Sequence, residues 1–469
     1  MAEIKDKKVN DLLAWMQYLD TLLLDATYIS PKLEIQATEY AGRGIFANAA
    51  IRSNEKLIQV PHSLLLNHST IIAHILLHDS QDAAKSRVLH KYHKLQPPST
   101  EPENSCLIEV YKSLSYEELL TLTSFQIMAM YLTVERGRGS ASFWKPFIDC
   151  LPEMDDFKLV PFIWSLETLA HTGDQLRHAK ELFHNLPPST QKHACKMRDK
   201  FDADYKTVSE LIETQLVKLN TSETVQSFLP VSDFLWAWMC INSRCLYMTI
   251  PESKSTESNF TMCPYVDFIN HCSQGQCILD IHPITGFSVL TGSDVTYSKN
   301  CEIYLSYGPH SNEFLLCEYG FKLLENEWND LDITSQLTSK LTAAQKTFLG
   351  DKHYLGEYTL NAQEISFRTE VCLAVLQYDV ANDPRIDLWK DRRLKCLLDG
   401  VSDGAVFKPK SNLMIKEILM DVLDESRARL QHCLLEMERD DVFNARKRVA
   451  EDLNREVVDM CKLHLNKLE

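Results

Sequence analysis

The feature that most constrains this chain is that its strand-like sequence falls into two short blocks. The first block contains the alternating segment Leu33–Gln36 and ends with Lys56–Val60, which Pro61 terminates. The second runs from about Tyr265 to Tyr307, and the long stretch between the blocks, 63–250, has mostly helical patterning. A block this small cannot bury a core alone. We therefore predict that the blocks pair across the helical insertion and form one discontinuous domain.

Composition excludes several classes of protein. The 469 residues suggest about three domains, and 45% hydrophobic and 24% charged residues are ordinary globular values. We find no stretch of ~20 apolar residues and no signal peptide, so we expect no membrane association. The 14 cysteines form no CxxC pair, which predicts reduced thiols in the cytoplasm, with the nucleus as a second location. Cys272 and Cys277 lack a second pair, so we expect no metal site.

The charge balance indicates the kind of partner. Lys and Arg total 49 against 65 Asp and Glu, a net charge of −16. General nucleic-acid binding needs a basic surface, so we expect no direct nucleic-acid contact. An acidic chain suits a basic protein substrate instead.

Two segments carry residue types suited to a site. Gly42-Arg43-Gly44 stands between strand signals, where glycine lets a ligand approach the backbone and arginine can meet a carboxylate. Taken alone it also fits a simple hairpin turn. The second copy of the pattern, Gly137-Arg138-Gly139, follows a helix and is interpreted as a loop.

The other segment, Tyr265–Cys272, looks like a half-apolar strand opened by Asp267 and ending in Asn270-His271. Buried Asn and His need hydrogen-bond partners, so a satisfied core pair and a functional pair are both open.

Order and combination make these motifs specific. After the glycines and the Asn-His pair come Tyr304 and Tyr307-Gly308, then the run Ser311–Phe321. This order resembles the SET-domain protein methyltransferases. More closely, it resembles the subclass with a split SET domain that includes the Rubisco large-subunit, fungal ribosomal-protein lysine and actin-histidine methyltransferases. Phe143–Ile148 with Leu151-Pro152 is similar to the subclass's insertion segment. Asn300-Cys301-Glu302-Ile303 departs from the usual G-E-E-I turn, but Asn tolerates positive φ.

The resemblance implies an α+β SET-type fold of small sheets with a large helical insertion and an all-α C-terminal substrate-binding lobe. The expected bounds are an N-terminal helix at 1–29, a discontinuous catalytic domain at 30–62 and 251–325, the insertion at 63–250, and a docking domain at 326–469.

It also implies S-adenosyl-L-methionine as the cofactor, no metal, and catalysis by Tyr307 beside the transferring methyl. The residues that the resemblance assigns to the cofactor are Gly42, Arg43, Gly44, Phe46, Arg244, Asp267, Asn270, His271 and Tyr307. Tyr304 is expected on the opposite face of its strand, as packing.

The implied function is lysine methylation of a non-histone protein, with a ribosomal protein or a translation factor as the expected substrate. Two alternatives stay open, a protein-histidine methyltransferase and a catalytically silent SET-like binding module. The sequence does not give the number of methyl groups added or the oligomeric state.

Overall fold

The computed structural model describes residues 7–23, 27–38, 42–78, 85, 106–170, 173–247, 260–282, 286–383, 385–433 and 441–468. The chain separates into two compact units. The first contains 1–157 and 198–308, and the second contains 158–197 and 309–469.

The described strands, β1 to β13 in chain order, are short. Their bounds are Tyr28–Ile29, Leu33–Ala37, Arg43–Ala47, Lys56–Val60, Leu66–Asn67, Leu246–Tyr247, Phe260–Met262, Asn270–His271, Cys277–His282, Gly286–Thr291, Tyr304–Leu305, Asp330–Asp332 and Thr359–Asn361.

The described helices, α1 to α18 in chain order, occur in both units. Their bounds are Lys7–Leu23, His68–Leu77, Cys106–Ser113, Tyr116–Leu119, Ser124–Arg138, Lys145–Ile148, Pro161–Ala170, Gly173–His184, Pro188–Lys218, Val225–Phe228, Val231–Arg244, Asn312–Tyr319, Thr334–Lys340, Ala343–Asp351, Phe367–Leu376, Arg392–Leu398, Lys408–Cys433 and Asp441–Lys467. None of these helices is long and apolar enough to span a membrane.

The two strand blocks pair across the insertion, as predicted. In the four-stranded sheet β1-β4-β10-β9, strand β4 from the first block lies antiparallel to β10 from the second, with Ile58 opposite Val289. Single bridges also join Phe46 to Glu302 and Ile51 to Tyr297. The inward side chains Ile58, Val60 and Val289 are completely buried. The core of this unit therefore depends on pairing between segments that are distant in the chain.

A hairpin forms where the first glycine motif predicts one. Strand β2 pairs with β3 from Leu33 opposite Ala47 to Ala37 opposite Arg43. Gly42 closes the turn with φ +71°, a left-handed backbone that glycine adopts without steric cost.

The segment before the Asn-His pair corrects one sequence prediction. Residues Val266–Phe268 form a 3₁₀ turn, and only Asn270–His271 is a strand. Asp267 therefore lies in that turn and does not open a strand. Tyr265 enters it with φ +71°. The buried apolar side chains in this segment fall at helical spacing, so a half-apolar strand was the wrong interpretation; they are Tyr265, Val266, Phe268 and Ile269.

The described part of the second unit is mainly helical. It also contains a two-stranded sheet, β12 with β13, which the expectation of an all-α C-terminal lobe did not include. The long helices α17 and α18 pack against each other, and the core of this unit includes Phe348, Tyr358 and Leu419, all at most 1% exposed.

Asn312, from the Ser311–Phe321 motif, is buried in this unit and joins the segment 323–326 to α18 through hydrogen bonds. Its amide nitrogen donates to Leu323 O (2.9 Å) and Glu456 Oε1 (3.1 Å), and its oxygen accepts from Asn326. This part of the motif is explained by packing.

Candidate active site

The Asn-His pair and the tyrosine motif meet on one short parallel ladder. Strand β8 pairs with β11, so that Asn270 lies opposite Tyr304 and His271 lies opposite Leu305. Beyond the ladder, Cys272 N donates to Leu305 O at 3.1 Å. Two motifs separated along the chain are therefore fixed in register by backbone hydrogen bonds.

Tyr307 is held directly against His271. Its backbone N–H donates to Nδ1 of His271 at 3.0 Å, and the two rings stack with centroids 5.0 Å apart. The phenol hydroxyl donates to Ile269 O at 2.8 Å. These contacts fix both the ring plane and the direction of the phenol oxygen. Because Nδ1 accepts a hydrogen bond, the proton of a neutral His271 must be on Nε2.

Asn270 lies in a cluster that joins the hairpin to β11. Its amide nitrogen donates to Arg43 O (3.0 Å) and to Oε1 of Glu302 (2.7 Å). Gly44 lies next to this contact: a Cβ there would overlap Glu302 Oε1 and come within 2.9 Å of the Asn270 amide nitrogen. Glycine at 44 is therefore required by the close approach of two polar side chains.

Two contacts hold the side chain of Arg43 in place. Its guanidinium donates to Cys150 O at 2.7 Å and lies over the Phe268 ring, 4.9 Å from the centroid. A cation over an aromatic face is held by the ring quadrupole.

Asp267 is a buried carboxylate near two arginines. Arg244 donates to the Asp267 carbonyl at 2.7 Å and lies 3.7 Å from Oδ2. Neither carboxylate oxygen accepts a hydrogen bond within the described part of the chain. Burial raises the pKa of the Asp267 carboxyl to about 6, with Arg244 and Arg43 partly offsetting the shift.

The other two predicted residues flank this cluster. Phe46 is half-buried on β3 and bridges through its backbone to Glu302. Gly42 is exposed at the hairpin turn, with open space around the position of a Cβ. The structure therefore brings Arg43, Gly44, Asn270, His271, Asp267, Arg244 and Tyr307 into linked contacts, whereas Gly42 serves the turn.

Sequence reasoning missed Glu302 as part of the site. The Asn300–Ile303 turn was noted only for its departure from the usual pattern. Asn300 does take a positive φ, 69°, as expected of an asparagine that replaces glycine in this turn. The available signal was an acid two residues before Tyr304, just ahead of β11. Glu302 Oε2 accepts the Tyr304 hydroxyl at 2.7 Å, so Tyr304 belongs to the polar cluster and is not simple packing.

The chemistry of this cluster suits a ligand that carries an amino-acid group. Guanidinium groups match a carboxylate, an amide oxygen accepts from an ammonium group, and a position without a Cβ lets a ligand approach the backbone closely. The described residues contain no group of three His, Cys, Asp or Glu side chains arranged to hold a metal ion.

Comparisons with known proteins agree with this geometry. Residues 329–467 match the family model for the ribosomal lysine N-methyltransferase 2 C-terminal domain. Ribosomal lysine N-methyltransferase 2 of Saccharomyces cerevisiae is 32% identical over 88% of this chain and 90% of its own length. Ribosomal lysine N-methyltransferase set11 of Schizosaccharomyces pombe is 32% identical over 46% of this chain and 56% of its own.

The fold is also found among solved structures. The crystal structure of the SET domain of LSMT bound to lysine and AdoHcy aligns with a TM-score of 0.57, covering 99% of this chain and 93% of that one at 13% identity. This likeness confirms the predicted α+β SET fold, and the identity to the yeast enzyme over most of both chains establishes the family. The chain belongs to the SET-domain protein-lysine N-methyltransferases, in the family of ribosomal lysine N-methyltransferase 2.

Proposed function

We propose that this enzyme methylates a lysine side chain of a ribosomal protein, using S-adenosylmethionine. The observation that carries the proposal is the β8–β11 ladder, which holds Tyr307 against His271 next to the Asn270 cluster. The relatives in yeast and fission yeast are named ribosomal lysine methyltransferases, which favours lysine over histidine and a ribosomal protein over a translation factor. Such a substrate is consistent with work in the cytoplasm.

The contacts of each residue support the proposed binding roles. Arg244 and Arg43 would pair with the cofactor carboxylate, and Asn270 would accept from its ammonium group. Gly44 leaves space where a side chain would overlap its neighbours. His271 is buried and supports Tyr307 through its Nδ1 atom. S-adenosylmethionine supplies a methyl group that its sulfonium centre already activates, so neither a metal nor a covalent enzyme intermediate is needed.

The difficult part of the reaction is the lysine nucleophile. An amine with a pKa of ~10.4 is neutral in about one molecule in 2,500 at pH 7, equivalent to ~4.6 kcal/mol. Burial in an apolar channel lowers this cost because it disfavours the ammonium form. The amine must also lie about 3–3.5 Å from the methyl carbon and in line with the bond that breaks. Tyr307, fixed at both its backbone and its hydroxyl, is suited to orient the amine.

The helical domain at 326–469 would dock the protein substrate. Support comes from the matched C-terminal family model and from the domain's own core, which is complete without any catalytic residue. Binding of the substrate through protein contacts, with no direct nucleic-acid contact, is part of this proposal.

The test is methyl transfer to ribosomes. The purified enzyme is incubated with tritiated S-adenosylmethionine and salt-washed ribosomes, the proteins are separated, and the labelled band is hydrolysed. We expect one labelled ribosomal protein that releases methyl-lysine, with the initial rate of labelling about a hundredfold lower for Tyr307→Phe. Methyl-histidine would overturn the lysine assignment, and label confined to non-ribosomal proteins would overturn the substrate class. Failure of the unmodified enzyme to bind S-adenosylmethionine by calorimetry would overturn the cofactor assignment.

A further inference from the structure

Glu302 contacts three parts of the site without having been assigned a function. Its backbone bridges to Phe46, and backbone bonds on either side (Ala47 N to Cys301 O, 2.9 Å; Ile303 N to Ile45 O, 2.8 Å) fix its position beside the hairpin. From there its two carboxylate oxygens reach Asn270 and Tyr304, each at 2.7 Å.

These contacts decide which way the Asn270 amide faces. An asparagine presents a donor group on one side and an acceptor oxygen on the other. Both neighbours of the Asn270 nitrogen, Arg43 O and the Glu302 carboxylate, can only accept hydrogen bonds. The NH₂ group must therefore face them, and the oxygen Oδ1 must point the other way, where it can accept from a ligand.

The Tyr304 hydroxyl holds Glu302 in turn. The Tyr304 hydroxyl donates to Oε2 of Glu302, and the Asn270 amide donates to Oε1. Each carboxylate oxygen therefore has one partner, and the plane of the carboxylate is fixed. Burial, followed by the hydrogen bond to Glu302, raises the pKa of Tyr304, which keeps the phenol protonated as a donor. Tyr304 lies opposite Asn270 on the ladder, so this chain of contacts closes on itself.

We propose that Glu302 is a positioning residue of the cofactor site: together with Tyr304 it orients the Asn270 amide so that Oδ1 accepts the cofactor's ammonium group. This inference rests on the proposed function. Glu302 acts through Asn270 and touches no reacting atom. Its loss therefore weakens the binding of both S-adenosylmethionine and S-adenosylhomocysteine but leaves the methyl-transfer step intact.

The experiment compares Glu302→Ala, Glu302→Gln and the unmodified full chain. Calorimetry measures the affinities for S-adenosylmethionine and S-adenosylhomocysteine, and kinetics measure KM and kcat. Removal of an acceptor for a buried amide should weaken both nucleosides about tenfold or more. The value of kcat at saturating cofactor should stay within about twofold, because the transition-state contacts of Tyr307 are unchanged. Glu302→Gln keeps an acceptor oxygen, so its affinities should return to within about threefold of the unmodified values.

A matched control and a second variant separate positioning from folding. Glu109→Ala removes an acid of the same unit whose ion pair is with Lys112 on the surface, and both affinities should be unchanged. Tyr304→Phe removes only the hydroxyl that holds Glu302, and it should weaken both nucleosides in the same direction as Glu302→Ala. If Glu302→Ala does not fold, Tyr304→Phe still gives the test.

The outcomes distinguish this inference from the proposed function. Unmodified enzyme that binds both nucleosides, together with folded variants that bind them equally well, overturns the role of Glu302 and leaves the proposed function standing. A loss in kcat without a change in affinity overturns it as well. If the unmodified enzyme binds neither nucleoside, the proposed function and this inference both fail.

Discussion

At the scale of single residues, Tyr307 is the side chain whose loss should affect the rate most specifically. Tyr307→Phe removes the hydroxyl that donates to Ile269 O but leaves the ring stacked on His271 and the backbone bond intact. We expect kcat to fall by about a hundredfold, equivalent to about 3 kcal/mol, with cofactor affinity within about twofold. Steady-state kinetics and calorimetry check this.

The control for this prediction is another tyrosine of the same unit. Tyr297→Phe removes a hydroxyl that contacts Cys277 Sγ at 3.6 Å, and its kcat should be close to that of the unmodified enzyme. Equal rates for Tyr307→Phe and the unmodified enzyme would remove Tyr307 from the catalytic role.

Asp267 should make the fold sensitive to pH. The folded pKa of about 6 lies above the ordinary Asp value of 3.8, so both states are protonated below pH 4 and folding carries no penalty there. Between about pH 4 and 6 the carboxyl ionises in the unfolded state but stays protonated in the folded state, so stability falls by about 3 kcal/mol and then levels off above pH 6. Asp267→Asn should therefore gain stability relative to the unmodified protein between pH 4 and 7.

Thermal unfolding of both proteins across this pH range measures the difference directly. A stability difference that is constant with pH would contradict the prediction. The charged carboxylate is partly compensated by Arg244, which lies 3.7 Å from Oδ2, and by the positive charge of Arg43.

At the scale of elements, the turn between β8 and β9 packs closely against β11 and the residue that follows it. A Cβ on Gly275 would overlap the backbone of Leu305 and Ser306, directly before Tyr307. We expect Gly275→Ala to destabilise the protein by about 1–3 kcal/mol, because the strands must separate. Cofactor affinity and kcat should both fall, since β8 carries Asn270-His271 and Tyr307 follows β11 two residues later.

Gly137→Ala is the matched control for this substitution. Gly137 is helical, and a Cβ there would make only an ordinary 3.8 Å contact with Leu107. Alanine should therefore be neutral or slightly stabilising. If Gly275→Ala behaves like Gly137→Ala in thermal unfolding and kinetics, the close approach has no functional role.

The elements also show which kinds of prediction the sequence supports. The β2–β3 hairpin follows from alternation and a glycine turn, and it forms with Gly42 in the left-handed conformation. The second Gly-Arg-Gly corrects a prediction: Gly137 and Arg138 lie inside α5, not in a loop, and only Gly139 ends the helix. The Arg138 side chain is buried in an ion pair with Glu135. The prediction of a strand before Asn270 was wrong because a 3₁₀ turn and the end of a strand give similar short apolar patterns in the sequence.

At the scale of the whole molecule, the net charge of −16 predicts that capture of a basic substrate depends on salt. Opposite charges on exposed surfaces are screened beyond about 10 Å at 0.1 M salt. We expect KM for the protein substrate to rise severalfold between about 0.05 and 0.5 M salt, with KM for S-adenosylmethionine nearly constant because its contacts are short and local. A salt-independent KM for the protein substrate would count against electrostatic docking.

The sequence by itself determined the pairing of the two strand blocks and the hairpin at Gly42, while the class of the fold was implied by the resemblance that the ordered motifs carry. The pairing and the hairpin follow from hydrophobic periodicity and from turn residues, which act locally and can be read along the chain. Only the tertiary structure decided that Gly44 faces Glu302, that Asp267 is buried beside Arg244 and that the Tyr307 backbone donates to His271. These contacts join residues that are far apart in the chain, either in different strand blocks or at separate positions of the second block. They arise from the register of the strand ladders, and register is set by the packed molecule rather than by any local segment.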